Sequence, residues 1–425
     1  MKEKKTKTAV ILLGSGFAIP FGGPSSSELL QRIEDHPYTN NSDVLKSQLI
    51  SQLLIALRNY YGPNPVNFET LIASLESLCQ YNVSSIQKNR LVDYASILPA
   101  IYLQKCFTEL IEHEASRVNQ SIPSFLTGVH KHCITTILDR IYEYDVLNIH
   151  KHKKDVSNST IRFIDSLIDK GYKVKIYTTN YDRIIPKIMP NISFDEGLEE
   201  PINEMIENNF DATQISQVTD TESTIAAMEA IAHSNVKFDC PDMKPHFFHN
   251  DLMRFHNAPY TYFNLHGSRY LSWNYSRQCP CLYEIGTDYK SSIGQYNPGG
   301  NPNEYLPFAP IIVGYTKSQR ALTEPFHFGF TSFAMDCNDC DKFFSFGFSY
   351  KDPHINSIIN TYLRSDVKIE CVVKDELIEE ANTPKQLQHQ RKIADETIVN
   401  CNSGKIIIQD AKDYLKNNCY EEYIG

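Results

Sequence analysis

The sequence has no excess of basic charge. Among its 425 residues, 41 Lys and Arg stand against 51 Asp and Glu, a formal net charge of −10. A chain of that sign is not suited to broad electrostatic contact with nucleic acid or with anionic membrane surfaces. Long apolar runs are missing too, and none approaches the ~18 residues of a membrane span. The one basic cluster, Lys2, Lys4, Lys5 and Lys7, lacks the following apolar stretch of roughly 7–15 residues that a secretory signal carries. It reads as a solvated tail over residues 1–7. Internal repeats and low-complexity tracts are absent. The eleven cysteines, an odd number scattered along the chain, make no disulfide framework. These absences together predict a cytoplasmic protein with reduced thiols.

What is present is an ordinary globular composition, 41 % hydrophobic and 22 % charged, with length enough for one large or two ordinary domains. Thr8–Leu13 is a short, nearly continuous apolar run, as expected of a strand buried on both faces. It leads directly into Gly14-Ser15-Gly16. Ser25 and Glu28 then form a capping box, with Leu29, Leu30 and Ile33 at helical spacing behind it. Residues 40–150 read as a helical insertion. Leu45, Leu49, Ile50, Leu53, Leu54 and Leu57 share one face, and Phe68, Leu71, Ile72, Leu75 and Leu78 share another after an Asn67 cap.

The α/β pattern resumes near Ser157, with Ile161, Ile164, Leu167 and Ile168 on a helix that Gly171 closes. The strand Val174–Tyr177 follows. Residues 191–258 form a mixed insertion with no clear assignment. Further strands are expected at Thr261–Leu265, Ala309–Val313, Phe343–Phe348 and Val367–Val373. Alternating strands and helices predict an α/β fold over residues 8–425, a doubly wound, mostly parallel, Rossmann-like sheet. Ligands of such sheets sit at the carboxyl ends of the strands.

Four polar motifs lie at those predicted ends: Gly14-Ser15-Gly16, Thr179-Asn180-Tyr181-Asp182, Leu265-His266-Gly267-Ser268, and Gly347 to Asp352. Each alone is a weak signal, since glycine pairs and Asn-x-Asp are common in turns. Their shared position is the stronger observation. A dehydrogenase fingerprint fails on inspection. Its third glycine would stand at position 19, which is Ile19, and its acidic ribose partner about 20 residues on would be Glu34 or Asp35, inside a helix.

In order, Gly14-Ser-Gly-Phe-Ala18, Thr179-Asn-Tyr-Asp182 and Leu265-His-Gly-Ser268 resemble the sirtuin signatures GAGxS, TQNxD and LHGS. The chain is most similar to the bacterial SIR2-like NAD hydrolases of anti-phage defence systems. In these a TTNYD strand end, a KLHGS-type turn and a late GFGxxDxxI segment are typical, the last standing here as Gly347-Phe-Ser-Tyr-Lys-Asp352-Pro-His-Ile355. The matching segments span residues 8–360 but cover a small part of the positions.

The resemblance implies an NAD hydrolase (NADase) that releases nicotinamide and ADP-ribose and depletes NAD during abortive infection. It implies that His266 is the general base and that Asn180 orients the attacking water or the carboxamide. Asp182 would contact the carboxamide or stabilise developing positive charge. Gly14, Ser15, Gly16 and Ala18 would cradle the pyrophosphate at the helix N-terminus that the capping box opens. Thr179, Gly267 and Gly347 would line the dinucleotide, and Ser268, Ser349 and Asp352 would meet ribose hydroxyls. Relatives of this kind work as homo-oligomers or with a HerA-type ATPase, although no partner is legible in the sequence. Two alternatives remain: a sirtuin-type protein deacylase or ADP-ribosyltransferase, and a non-catalytic NAD- or ADP-ribose-binding subunit.

One departure from true sirtuins is informative. Their zinc module has two CxxC pairs soon after the histidine. Here the pairs are Cys279-Pro-Cys281 and Cys337-Asn-Asp-Cys340, far apart, with the expected Pro310–Val313 strand between them. His246 and His249, with Cys240 and His256, read as a polar loop. No metal is expected, and the missing module weakens the deacylase reading.

Overall fold

Continuous apolar runs become the buried centre of a parallel sheet. The computed structural model describes residues 6–36, 48–61, 66–84, 108–147, 154–199, 245–274, 279–283, 311–314, 317–350, 352–373, 404–408 and 411–424. In it β1 (Lys7–Leu13) pairs with β2 (Tyr172–Thr178) on one side and β7 (Lys342–Phe346) on the other. β4 (Tyr260–Asn264) lies outside β2, while β8 (Lys368–Val373) and β9 (Gly404–Ile408) continue beyond β7. The order is β4-β2-β1-β7-β8-β9, and every pairing is parallel. The chain therefore builds outward from β1 in one direction, then returns to build in the other. That reversal opens a crevice between the carboxyl ends of β1 and β7.

Strand alternation divides the core in two. Ala9, Ile11 and Leu13 of β1 join Val174, Ile176, Phe344 and Phe346 on one face, whereas Val10, Leu12, Tyr177 and Phe343 lie on the other. The Lys154–Asp169 helix covers the first face. Its Phe163 ring packs edge-on against Phe344 and Phe346 at 5.1 and 5.3 Å. The Phe326–Asp339 helix covers the second, with Phe333 lying 5.0 Å from Tyr177. Gly171 has φ 78, as the helix closure predicts.

Within the helical insertion, the described residues include the helices Leu49–Tyr61, Phe68–Ser84 and Ile122–Tyr142. Of the expected faces, Leu49, Leu53, Leu54, Leu57, Leu71, Ile72, Leu75 and Leu78 are fully enclosed, and Leu45 lies outside the described residues. Asn67 caps its helix by accepting a 2.9 Å bond from Thr70 N–H.

Two features differ from expectation. Ala309–Val313 was expected to be a core strand, but its described part, Ile311–Val313, stays outside the parallel sheet. It makes a single antiparallel bridge to Gly267. These residues are apolar because they are buried over the histidine turn, and periodicity does not separate that case from a core strand. In addition, β3 (Pro245–Phe247), β6 (Cys279–Tyr283) and β5 (Leu271–Asn274) form a small antiparallel sheet that the sequence did not suggest. Residues 200–244, most of the mixed insertion and Cys240 with them, lie outside the described residues. No helix among the described residues is long and apolar enough to cross a membrane.

Candidate functional site

The crevice between β1 and β7 is closed at its floor by three glycines. Gly14 N–H donates to Phe346 O at 2.9 Å, and Gly16 N–H donates to Gly347 O at 3.1 Å. A Cβ on Gly14 would lie 2.5 Å from Gly347 O, and one on Gly347 would lie 2.3 Å from Phe17 N. Gly347 also has φ 61, a left-handed conformation. The two loops press backbone to backbone, which only glycine permits.

This engagement changes what the loop can offer a ligand. The Gly14 and Gly16 amides, expected to hold a pyrophosphate, already donate to the end of β7. The capping-box helix, Ser26–Asp35, satisfies its own first turn. Glu28 N–H donates to Ser25 Oγ, and Ser25 N–H donates to Glu28 Oε2 at 2.7 Å. The Glu28 carboxylate there opposes an anion. The helix directly behind Gly14 is the single turn Ser15–Ala18, in which Ser15 is exposed and Ala18 belongs to the core.

Asn180 is tied to this floor. Thr178 ends β2 opposite Leu13, Thr179 N–H donates to Leu13 O, and Asn180 Nδ2 donates to Gly14 O at 3.0 Å. Asn264, the register partner of Thr178 at the end of β4, donates through Nδ2 to the carbonyls of Asn180 and Asp182, both at 2.8 Å. Asp182 is turned into the protein. It accepts from Tyr144 O–H at 2.5 Å and from Ile184 N–H. Burial, with Asp145 nearby, pushes its carboxyl up to about 6. It clamps the helical region to the turn instead of facing a ligand.

The histidine turn is built the same way. Leu265 N–H donates to Thr178 O, Ile312 N–H donates to His266 O, and Gly267 takes φ 82. Ser268 Oγ donates to Tyr181 O and accepts from Tyr270 N–H, so it stabilises the turn. His266 is 2 % exposed, and its Nε2 lies 3.0 Å from Nε2 of His354. The Phe330 ring packs against both imidazoles, at 6.4 and 5.3 Å.

Burial holds His266 well below its ordinary value and His354 down to about 4, so both rings are neutral near pH 7. Burial alone would raise Asp352, but His266 and Lys317 outweigh it and hold the carboxyl down to about 2. Lys317 Nζ bridges Asp352 at 2.8 Å and Glu69 at 2.6 Å, while Arg320 pairs with Glu76 at 3.0 Å. The Phe68–Ser84 helix is thereby pinned to the edge that carries His266.

The fold thus gathers Gly14, Gly16, Thr179, Asn180 and Gly347 at the crevice floor, with His266 and Asp352 together beside them. Ala18, Asp182 and Ser268 serve the frame, and Ser349 is partly exposed. Sequence reasoning missed His354, Lys317, Glu69, Tyr144 and Asn264. His354 had a signal, standing two residues beyond Asp352 in a quoted motif. Glu69 and Lys317 had none, being brought together from opposite ends of the chain.

A small hollow adjoins the histidine turn, lined by residues that include Glu196, Tyr262, Asn264, Gly267 and Ser268. His266, Asp352 and His354 bring their ligand atoms within 4.8 Å of one another. No cysteine joins such a group among the described residues. His249 accepts from Asp251 N–H, and His256 is held by Asp336 and Asp339. No protein-family model matches the chain, and no curated protein matches it.

Proposed function

We propose that this chain is a SIR2-like NAD hydrolase that cleaves the nicotinamide–ribose bond to give nicotinamide and ADP-ribose. One observation carries the reading. Asn180 and His266 each stand two residues beyond the paired strand ends Thr178 and Asn264, with Asn180 bonded to the Gly14 loop at the crevice. Dinucleotides lie across such a crevice in sheets of this strand order.

The chemistry asks little of the protein beyond position. Nicotinamide leaves as a neutral ring from a cationic pyridinium, so no acid is required, and the transition state resembles an oxocarbenium ion. His266, kept neutral by burial, takes a proton from water or a ribose hydroxyl. The nearby Asp352 carboxylate favours the cation that results. The bond from Asn180 Nδ2 to Gly14 O fixes the amide and leaves Oδ1 as the acceptor that orients the nucleophile.

His266 and Asn180 are only 2 % and 8 % exposed, so this conformation is a closed one. That fits an enzyme held inactive until self-assembly, or a partner such as a HerA-type ATPase, opens the edge. In a cytoplasmic defence role the opened enzyme would deplete NAD.

The test is product analysis. Incubation with NAD, with and without candidate partners, should release nicotinamide and free ADP-ribose without any peptide. His266→Ala and Asn180→Ala should each lower the rate by roughly 10²–10⁴ with an unchanged circular dichroism spectrum. Near wild-type turnover in either variant would remove its assigned role. A strict requirement for an acyl-lysine peptide would favour the deacylase instead.

A further inference from the structure

Three side chains of metal-binding type meet at one point of the sheet edge. His266 lies just past the end of β4, and Asp352 and His354 flank Pro353 at the start of the Pro353–Tyr362 helix. Among the described residues no other three His, Cys, Asp or Glu side chains place their ligand atoms so close together. We infer that His266, Asp352 and His354 form a binding site for one divalent ion of the zinc class, with a further position left open for water.

The spacing suits the ion. The two Nε2 atoms are 3.0 Å apart. Two nitrogens on one tetrahedral zinc stand roughly 3.3 Å apart, given metal–nitrogen bonds of about 2.0–2.1 Å. Opening the pair by a few tenths of an ångström, and drawing in the Asp352 carboxylate from within 4.8 Å, would complete the set. For two neutral rings at this distance one Nε2–H points at the other Nε2 lone pair; on binding, that proton would pass to Nδ1 of the same ring and the ion would take its place. Phe330 already packs against both rings, tilted to His266 and edge-on to His354, so little orientation is lost on binding.

Charge is arranged to match. Lys317 takes Asp352 Oδ1, but its own charge is also met by Glu69. The second Asp352 oxygen is left for the ion in a cluster that carries one net negative charge. Two imidazoles and one carboxylate favour zinc and its neighbours over magnesium or calcium, which prefer oxygen ligands throughout.

Occupancy has a consequence that rests on the proposed NAD cleavage. A ring bound through Nε2 keeps its proton on Nδ1 and has no lone pair left to act as a base. The loaded protein should therefore be silent, and chelation should release its activity.

The experiment uses the whole chain, stripped with EDTA and desalted. Zn²⁺ titration against a chromophoric indicator should find one ion bound, weakened roughly tenfold or more in His354→Gln and in Asp352→Asn. Because a variant can misfold, the wild-type chain is also loaded with Cu²⁺, whose electron paramagnetic resonance should show coupling to imidazole nitrogen. Absent binding, equal binding in both folded variants, or a Cu²⁺ spectrum without nitrogen coupling would each overturn the site. NAD cleavage is then measured with Zn²⁺ and with EDTA, and equal rates would overturn the exclusion. A bound ion without NAD cleavage under any condition leaves the site standing and removes the hydrolase. Cleavage by a chain that binds no ion does the reverse.

Discussion

Two glycines with positive φ show how much a single residue depends on its surroundings. At Gly171 a Cβ would meet nothing within 4 Å, so Gly171→Ala should cost only the left-handed penalty of about 1–2 kcal/mol. At Gly347 the same change drives a methyl into Phe17 N and Gly16. We expect a loss above about 3 kcal/mol, read from urea midpoints; equal losses at the two sites would refute the tight loop contact. His354 makes a second residue-scale prediction. Its folded value, about 4, lies below the ordinary 6.5, so the unfolded chain binds more protons between those values. Its stabilising contribution is complete above pH 6.5 and is lost as pH falls through that window. His354→Gln should flatten the stability slope there by up to about 1.4 kcal/mol per pH unit, and an unchanged slope would contradict the buried neutral ring. At this scale the sequence was partly legible. Asn180 and His266 were readable because their strand ends were, whereas the pairing of His354 with His266 spans 88 residues and exists only once their elements pack.

Among the elements, strands buried on both faces were the most readable. The apolar runs Thr8–Leu13 and Val367–Val373 each fell within a residue or two of their observed strands, because burial on both faces leaves no room for polar alternation. The small antiparallel sheet escaped notice because Pro280 interrupts β6 and its strands are short. β9 was missed because GKIII is too brief to set a period. Side-chain clamps between elements were invisible as well. Tyr144, at the end of the helical region, donates to Asp182 in the β2 turn at 2.5 Å. Tyr144→Phe should lower stability by about 1–3 kcal/mol near pH 7, as measured by urea denaturation. The loss should shrink near pH 5, where Asp182, with its value raised to about 6, is mostly protonated and accepts a weaker bond. A loss that does not vary with pH would assign the effect to packing.

Over the whole molecule, the ion pairs of Lys317 and Arg320 with Glu69 and Glu76 join the helical insertion to the candidate site. No spacing rule in the sequence connects them, so the closed state could not be foreseen even though the sheet could. If these pairs keep the edge shut, Glu69→Gln with Glu76→Gln should raise the rate of nicotinamide release from NAD by the isolated chain. A double variant as slow as the parent would mean that some other contact keeps it shut. The sheet order has its own outcome during synthesis. The central strand is made first, yet its partner β7 lies 333 residues later, as the Thr8–Asp341 contact shows. At ribosomal speeds that interval is on the order of half a minute. Until then Ala9–Leu13 has at most one of its two partners, and an apolar strand left exposed for that long favours misassociation of the newborn chain.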